Sequence, residues 1–455
     1  GTDALAALLE AGADAVGTVP DDRFAAARFL HPRAGEPGRT YSFAAATVGD
    51  LSLFDAAAFG LSPREAAEMD PQQRLVLECA ARCLEDAGLP PSAVAGRAVG
   101  VFIGSSATDF ADSRLGDPAA GDRHFMTGTV LSIIANRLTN VFDLRGAAQV
   151  VDTACSSSLV ALHLAAEAIR RGEVEMAFAG GAHALLSPWP FLGFAKAGML
   201  SRSGRCRVFD AGADGYVRGE GAGLVLLKPL SAALAAGDPV RAVLLGTGVN
   251  AAGRTIGLSL PSREAQAALL ARVLAASPDA DPDGFAYFEA HGTGTQAGDP
   301  AEAWAIGEAI GRRRASPLPV GSIKSNIGHL EPASGIAGLL KAMLVLERGT
   351  IPPNLHFTAP NPHIAFAEWG LRVPVASEAA AGRFAGVNSF GFGGTNASAV
   401  LARAPEGTAV AGVAGADAGA GGLGVGGAAA WAARPAAARR ARDAGRPSAP
   451  GASAS

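Results

Sequence analysis

The feature that most constrains this chain is a buried strand that runs into an apolar helix across a tight turn carrying Cys155. Residues 148–151 read as the end of a strand, and apolar residues recur at helical spacing over 157–171, before Gly172. Cys155 therefore lies at or just before a helix N-terminus, where unpaired backbone N–H groups and the helix dipole favour a thiolate. This pattern predicts a nucleophile that carries an acyl group. For a single cysteine in a soluble protein, a buried structural role is the usual alternative. The other motifs of the chain are needed to choose between the two roles.

Strand-like and helix-like segments alternate over residues 1–403, which predicts an α/β fold. Predicted strands cover 99–104, 176–181, 224–227, 242–245, 285–290 and 397–401. Predicted helices cover 71–87, 157–171, 263–276, 301–310 and 333–348.

A change of unit is predicted near Gly237, where Gly-Asp-Pro interrupts the pattern. It divides the chain into a half that bears Cys155 (1–237) and a half that bears the histidine motifs (238–403). Residues 404–455 are mostly Ala and Gly with few large apolar side chains, so we expect a disordered tail or linker.

Composition excludes several classes of function. The net charge of −4 supplies no basic field for nucleic acid, and no apolar run is long enough to span a membrane. Four cysteines in 455 residues are too few for a disulfide framework and indicate a reducing cytoplasm. Cys79 and Cys83 lie four residues apart on a predicted helix, but no other Cys or His pair completes a site, so we expect no bound metal.

A second candidate site follows the predicted strand 285–290. His291 opens the run His-Gly-Thr-Gly-Thr, at the carboxyl edge of a strand, where α/β proteins bind ligands. The glycines allow close approach of a substrate, and the hydroxyls of Thr293 and Thr295 can hydrogen-bond an extended amide chain. Alone, a histidine at a strand end is more often structural than catalytic.

A third motif, Lys-Ser-Asn-Ile-Gly-His, runs from Lys324 to His329 and leads into the predicted helix 333–348. A lysine five residues before a histidine can hold a buried carboxylate network, for which Asp299 and Glu302 are the candidates. An exposed lysine and a helix-capping histidine explain the motif equally well when it is taken alone.

A fourth motif places three glycines around an aromatic residue, in Asn-Ser-Phe-Gly-Phe-Gly-Gly-Thr-Asn over 388–396. Phe392 could swing as a gate, and its backbone N–H could serve an oxyanion hole; a plain glycine turn is the alternative. The glycines at 219–223 do not form a dinucleotide-binding loop, because a strand follows them and their spacing is wrong.

Taken together, these motifs resemble the β-ketoacyl synthases in their order and spacing, and in particular the ketosynthase domain of a type I polyketide synthase. The resemblance covers nearly all of residues 1–403. Further matching stretches are 54–65, 69–74, 136–137 and 215–221.

The resemblance implies a thiolase-like fold, in which two similar α/β halves stack as five layers, α-β-α-β-α, and a homodimer. It implies that Cys155 takes an acyl chain from the phosphopantetheine arm of an acyl carrier protein. A malonyl-type unit on carrier protein then loses carbon dioxide, and its enolate attacks the Cys155 thioester. The domain itself would bind no cofactor, and an acyltransferase in cis or in trans would load the extender.

The resemblance also implies roles for the residues around the nucleophile. The backbone N–H groups of Cys155 and Phe392 suit an oxyanion hole, and His291 and His329 suit neutral donors to the enolate oxygen. Lys324 would hold His329.

The remaining supporting residues are two carboxylates, of which Glu302 would pair with the lysine and Asp299 would join it. Thr293 and Thr295 would line the pantetheine channel. Gly393 and Gly394 complete the predicted substrate-binding set.

Two features depart from the family pattern. The opening strand, with its Gly-Cys-Arg-Phe-Pro signature, is absent, and the chain begins within the following helix, near 2–10. We therefore expect a truncated sequence, because a missing central strand leaves unpaired neighbours and a hole in the core. Ser398 stands where the family commonly has the histidine of Asn-Ala-His.

Three other hypotheses compete with an active condensing enzyme. A non-catalytic partner subunit or a decarboxylating loading domain would lack the nucleophile, whereas Cys155, His291 and His329 are all present. A thiolase or a chalcone-type synthase is another candidate, and the chalcone-type group would pair Cys with His and Asn. A cysteine hydrolase would orient its histidine with a carboxylate and leave the glycine–aromatic gate unexplained.

Overall fold

The computed structural model describes residues 1–116, 119, 121–405 and 423–426. Strands and helices alternate along it, and all the strands and helices predicted above are confirmed, with ends that differ by a few residues. The strands are β1 (Val16–Thr18), β2 (Ala44–Ala46), β3 (Val99–Gly104), β4 (Ala148–Val151), β5 (Met176–His183), β6 (Arg218–Gly219), β7 (Gly221–Pro229), β8 (Ala242–Ala251), β9 (Phe285–Glu289), β10 (Leu318–Gly321), β11 (Thr350–Ile351), β12 (Leu371–Arg372), β13 (Glu378–Ala379), β14 (Phe384–Phe390), β15 (Thr395–Arg403) and β16 (Leu423–Gly426).

The helices begin and end at ordinary sequence signals. Asp70 caps the longest of them by accepting the N–H of Gln72, and Pro71 takes its first position. The helices are α1 (Thr2–Glu10), α2 (Pro63–Glu68), α3 (Pro71–Asp86), α4 (Asp109–Arg114), α5 (Phe125–Thr129), α6 (Ser132–Phe142), α7 (Ser157–Arg170), α8 (Trp189–Lys196), α9 (Leu230–Ala236), α10 (Arg263–Ala275), α11 (Gly298–Ala309), α12 (Lys324–Ile327) and α13 (Ser334–Arg348).

Eleven strands form one large sheet in the order β12-β10-β9-β14-β15-β8-β16-β7-β5-β3-β4. We call β3, β4, β5 and β7 the cysteine half of this sheet, and β8, β9, β10, β14 and β15 the histidine half. Within each half, three neighbouring strands are parallel and the next one is antiparallel: β4-β3-β5 followed by β7, and β10-β9-β14 followed by β15.

The layers follow from which faces of the sheet are buried together. One apolar cluster contains α7 and α13 with inward-facing residues of both halves of the sheet, such as Phe102 and Val387. A second cluster packs α3 and α6 on the opposite face of the cysteine half, and a third packs α10 and α11 on the opposite face of the histidine half. The arrangement is the five-layer α-β-α-β-α stack, with α7 and α13 at its centre.

Glycines allow the two central helices to approach their neighbours closely. A Cβ at Gly335 would lie 2.9 Å from the Cβ of Leu159 on α7, and one at Gly338 would lie 3.0 Å from the Cγ of Glu289 on β9. Both contacts are shorter than ordinary packing distances, so a larger residue would push α13 out of the central layer.

One strand of the large sheet comes from the last described residues of the chain. β16, at Leu423–Gly426, pairs antiparallel with both β7 and β8. These four residues belong to the segment 404–455 that was expected to be disordered; the rest of it beyond residue 405 lies outside the described residues. The division of the chain at residue 237 stays a prediction.

Candidate active site

The Cys155 turn connects β4 to α7 through a strained backbone. Ala154 has a φ of +56°, the left-handed region that costs a non-glycine residue roughly 1–2 kcal/mol. The strain is held locally, because Asp152 Oδ1 accepts the Ala154 N–H at 2.9 Å and the Ser157 hydroxyl donates to the Ala154 carbonyl at 2.6 Å. The turn therefore fixes the position of the Cys155 sulfur just ahead of α7.

Two serines from the part of the chain beyond residue 237 contact the same turn. The hydroxyls of Ser334, at the start of α13, and Ser389, on β14, donate to the Cys155 carbonyl at 3.0 and 2.8 Å. Sequence reasoning missed both residues. Ser334 is 179 residues from Cys155 along the chain and Ser389 is 234 residues from it, and local sequence patterns do not reveal such distant contacts.

The thiol of Cys155 keeps its proton at neutral pH. Burial, followed by the Glu331 carboxylate, raises the pKa of Cys155 to about 12, although Lys324 and the backbone N–H of Phe392 act to lower it. The position before α7 was expected to favour a thiolate, but desolvation outweighs the nearby donors. Chemistry at this sulfur therefore needs a proton acceptor during acyl transfer.

The His291 backbone is fixed by a buried carboxylate and a buried lysine. Glu302, on α11, accepts the N–H groups of His291 and Gly292 at 2.7 and 2.8 Å, and it also accepts the amide of Asn388 at 3.0 Å. Lys324 Nζ donates to the His291 carbonyl at 2.5 Å. The two residues place the ring from opposite sides of one peptide segment.

This arrangement corrects the predicted role of Lys324. Among the described residues it forms no ion pair with Glu302, whose oxygens are taken by N–H donors, and it holds His291 rather than His329. The turn between α12 and α13 contains Gly328, which has a φ of +66°.

The second imidazole, His329, has a defined tautomer. Its Nδ1 accepts the backbone N–H of Glu331 at 3.0 Å, so the ring proton must lie on Nε2. The centroids of the His291 and His329 rings are 5.3 Å apart at an interplanar angle of 83°. One N–H donor at Nε2 of His329 is therefore available to a ligand beside the His291 ring.

Both imidazoles are neutral at pH 7. Burial, followed by the charge of Lys324, holds the pKa of His291 and the pKa of His329 well below the ordinary histidine value. Neutral rings can donate one hydrogen bond without adding a buried charge.

Asp299 orders the threonine-containing loop after β9. It accepts the N–H groups of Phe209, Gly294 and Thr295, and burial raises its pKa to about 7. The Thr293 and Thr295 hydroxyls lie 3.1 Å apart. Asp299 thus fixes the backbone of this loop by hydrogen bonds to its N–H groups.

The glycine–aromatic turn lies against the cysteine turn. A Cβ at Gly391 would lie 2.3 Å from the Thr153 carbonyl oxygen, so only glycine fits there. The backbone N–H of Phe392 points at the Cys155 thiol, while its ring is about half exposed and meets Phe194 edge-on at 5.8 Å. Gly394 turns the chain with a φ of +95°.

One cavity of about 390 Å³ brings most of the predicted site together. Cys155, His291 and His329 all line it. Other predicted residues in its wall are Thr293, Thr295, Glu302, Phe392 and Gly394. Asp299, Lys324 and Gly393 are not in its wall.

Sequence reasoning missed the aromatic side of this cavity. Tyr216 lines it and packs edge-on against the His329 ring, with centroids 5.2 Å apart, and Phe390 lies 5.7 Å from the His291 ring. The only available signal for Tyr216 was its place in the family-like stretch 215–221. These two rings make the side of the cavity next to the imidazole pair aromatic.

No helix in the described part of the chain has the length and apolar character to cross a bilayer. Over the same residues, His, Cys, Asp and Glu side chains do not form a cluster that could hold a metal ion.

Family models match consecutive parts of the chain. The β-ketoacyl synthase N-terminal domain matches residues 1–233, the β-ketoacyl synthase C-terminal domain matches 241–358, and the ketoacyl-synthetase C-terminal extension matches 360–418. The first alone covers just over half of the chain.

Known polyketide synthases and solved ketosynthase domains are similar over most of the chain. Polyketide synthase ThaG of Burkholderia thailandensis is 49% identical over 388 residues, and GfsA of Streptomyces halstedii is 47% identical over 425, but the chain spans only 7% and 6% of their lengths. An oxazolomycin ketosynthase domain of Streptomyces albus superposes with a TM-score of 0.84 at 37% identity, covering 88% of this chain and 71% of that one. The module 6 ketosynthase of the Bacillus subtilis bacillaene synthase has a TM-score of 0.81 at 33% identity, with 89% and 69% covered. The chain therefore belongs to the β-ketoacyl synthase family and has the thiolase-like fold of the ketosynthase domains of modular type I polyketide synthases.

Proposed function

We propose that this ketosynthase domain condenses an acyl chain on Cys155 with a decarboxylated malonyl-type extender, using His291 and His329 as the donors that stabilise the enolate. The observation that carries the proposal is that these three side chains, from two halves of the molecule, line one cavity.

The first step is acyl transfer to the sulfur. The Cys155 thiol attacks the carbonyl of an acyl thioester, the acyl–sulfur bond to the carrier breaks, and the thiol proton leaves with the released carrier thiol. The tetrahedral oxyanion faces the backbone N–H groups of Cys155 and Phe392. A neutral imidazole relays the proton, because the raised pKa of Cys155 keeps the thiol protonated until attack.

The second step is decarboxylation of the extender. The bond between the α-carbon and the carboxylate breaks, carbon dioxide leaves, and the electron pair forms an enolate whose negative charge lies on the thioester oxygen. Nε2–H of His329 donates to that oxygen, and the His291 ring faces it from the side. One such donor in a desolvated site is worth about 3–4 kcal/mol of transition-state stabilisation.

The third step forms the carbon–carbon bond. The α-carbon of the enolate attacks the Cys155 thioester carbonyl, and the sulfur leaves and recovers its proton. The product is a β-ketoacyl chain, longer by two backbone carbons, on the carrier that brought the extender.

The hydrolase alternative is disfavoured by the histidine partners. A cysteine hydrolase needs a carboxylate that accepts from the far ring nitrogen of its histidine. His329 Nδ1 instead accepts a backbone N–H, and His291 Nδ1 has no partner among the described residues.

The substrates and partners are proposed from the family. Acyl carrier protein would present both substrates on phosphopantetheine, whose extended amide arm would pass Thr293, Thr295 and the glycine turn. An acyltransferase in cis or in trans would load the extender, and two copies of the domain would pair. A reducing cytoplasm is the proposed compartment, and none of the four cysteines forms a disulfide in the described part of the chain.

Incubation with an acyl pantetheine thioester tests the first step directly. Intact-mass and peptide mass spectrometry should show one acyl group on Cys155. The other three cysteines, Cys79, Cys83 and Cys206, are buried and serve as internal controls. Acylation elsewhere with Cys155 unmodified would reject the mechanism.

A further inference from the structure

A buried pair of opposite charges between α13 and β9 takes no part in the proposed chemistry. Lys341, on the central helix α13, and Glu289, the last residue of β9, are each 1% exposed, and Lys341 Nζ lies 3.2 Å from Glu289 Oε2. Neither side chain lines the cavity that holds Cys155 and the imidazoles. Because apolar residues of similar size are often at least as stable as a buried ion pair, packing alone does not account for these two charges.

The Glu289 carboxylate uses both of its oxygens. Oε1 accepts the backbone N–H of Ile323 at 2.7 Å, and Oε2 accepts the hydroxyl of Tyr287 at 2.7 Å in addition to its contact with Lys341. The ammonium of Lys341 also lies 5.1 Å from the centre of the Tyr287 ring, which is a cation–π distance. Gly338, three residues before Lys341 on α13, leaves the space that the carboxylate occupies. The carboxylate is therefore held in one orientation.

This carboxylate is connected to the active site through Lys324. Ile323 directly precedes α12, and Lys324 is the first residue of that helix, so the hydrogen bond to Glu289 fixes the backbone where the lysine begins. Lys324 Nζ in turn donates to the His291 carbonyl at 2.5 Å. Glu289 also lies two residues before His291 in the chain. One side chain thus joins the two segments that the contact between Lys324 and His291 connects.

We propose that Glu289, held by Lys341, is a positioning residue for the decarboxylation step. It fixes the turn that carries Lys324, and it supplies the negative charge that keeps the Lys324 ammonium on the His291 carbonyl. The proposal rests on the proposed function, because it concerns the placement of an imidazole that this function requires. Glu289 acts through Lys324 and not on the substrate, since it lies outside the cavity wall.

The charges around Lys324 make Glu289 its main counter-charge. Burial lowers the pKa of Lys324 from its ordinary value, and of the groups that raise this pKa again Glu289 has the largest effect, followed by Glu302, Cys206 and Cys155. The two imidazoles, the other titratable groups beside the lysine, are neutral. Without Glu289 the ammonium would lose its proton at a lower pH, and a neutral amine binds a carbonyl oxygen more weakly than an ammonium does.

The test replaces the pair by neutral residues of similar size, in the double variant Glu289→Gln/Lys341→Met of the whole chain. Glutamine keeps an oxygen that can accept the Ile323 N–H, and methionine fills the volume of the lysine stem. We therefore expect the double variant to fold, with little change in denaturant titrations. The measurement is the rate of decarboxylation of a malonyl pantetheine thioester from about pH 7 to 10, from the acetyl thioester detected by mass spectrometry after subtraction of the enzyme-free rate.

The double variant should lose its rate on the alkaline side at a pH about one unit or more below that of the wild type, the shift that follows from removing a nearby opposite charge. Because Lys341 is absent from this variant, the shifted loss belongs to Lys324. Burial raises the pKa of Cys155 and of Cys206 to about 12, which lies beyond the range of the measurement.

Glu347→Gln is the matched control. It breaks the ion pair between Arg241 and Glu347, which lie 2.7 Å apart near the end of the same helix and outside the cavity, and it should leave the pH profile in place. Glu289→Gln alone gives a second reading, and its alkaline loss of rate must move in the same direction as that of the double variant.

The outcomes separate this inference from the proposed function. An alkaline loss of rate that stays in place in both Glu289 variants, or that moves equally in Glu347→Gln, would overturn the inference, while decarboxylation by the wild type still supports the condensing enzyme. A wild type that releases no acetyl thioester at any pH would overturn both.

Discussion

The two halves of the large sheet have the same strand order around the same central helices, but their turns carry different chemistry. The turn between β4 and α7 carries Cys155, and the connection between β10 and α13, at the equivalent place, carries His329. The first turn has Ala154 in the left-handed backbone region, immediately before Cys155. The second contains the short helix α12 and then Gly328, which is also in the left-handed region. The scaffold is repeated, and the function lies in how the two turns differ.

The halves also differ in the strand that completes each of them. In the histidine half, β8 precedes the other strands and pairs with β15. In the cysteine half, the equivalent place beside β7 is taken by β16, from near the other end of the chain. The position beside β7 is thus defined by the neighbouring strands of the sheet, and not by where along the sequence the strand that occupies it lies.

The largest effect should come from removing the sulfur of the cysteine half. Cys155→Ala should abolish acylation and condensation, since no other group can carry the chain. Decarboxylation of a malonyl thioester should continue, because its donors belong to the histidine half. Carbon dioxide release and product formation are measured in parallel, and condensation by the alanine variant would break the assignment of the nucleophile to this half.

The reciprocal change removes a donor from the histidine half. His329→Ala should slow decarboxylation roughly 10²–10³-fold, the usual cost of one such donor, while Cys155 acylation changes only a few-fold. His163→Ala is the control, because this histidine bonds the Thr247 hydroxyl outside the cavity. Equal losses of acylation and decarboxylation would mean that the two halves do not divide the chemistry in this way.

A third change tests the strand that distinguishes the halves. Deleting residues 406–455 removes β16 and leaves backbone groups of β7 and β8 unpaired in the middle of the sheet. We expect the free energy of unfolding to fall by about 2–3 kcal/mol, from several lost hydrogen bonds. Deleting only 427–455 keeps β16 and should change little in denaturant titrations. If the two truncations unfold alike, β16 does not complete the cysteine half.

Local sequence patterns predicted most of this architecture. Helical periodicity and the apolar run before it placed Cys155 on a strand-to-helix turn, and the structure has that turn between β4 and α7. The tripeptide Ala44–Ala46 shows no alternation, so its strand in the small sheet β1-β2-β6 was not predicted. The pairing of Leu423–Gly426 was missed because a glycine-rich segment has weak strand propensity and is ordered here by its neighbours.

The candidate site shows the same division. The residue types were predictable from the motifs, but their partners were not, since the hydroxyls of Ser334 and Ser389 reach Cys155 across the interface between the halves. Lys324 was assigned to the histidine nearest in sequence, whereas its ammonium meets a carbonyl 33 residues earlier in the chain. Spacing along a chain does not report the direction of a turn.

The smallest effect should be a shift in pH dependence within the histidine half. The neutral ring of His329 is the active form, because a proton on Nδ1 would oppose the Glu331 N–H that it accepts. Burial and Lys324 hold the pKa of both imidazoles well below its ordinary value, so decarboxylation should stay flat as pH falls from 8 to about 6, where a free imidazole is mostly protonated. Lys324→Met removes the neighbouring positive charge, which raises the pKa of the rings and moves the acid loss of rate to higher pH. The exposed Lys196→Met should leave the profile in place, and a profile for Lys324→Met that does not move would show that burial alone keeps the imidazoles neutral.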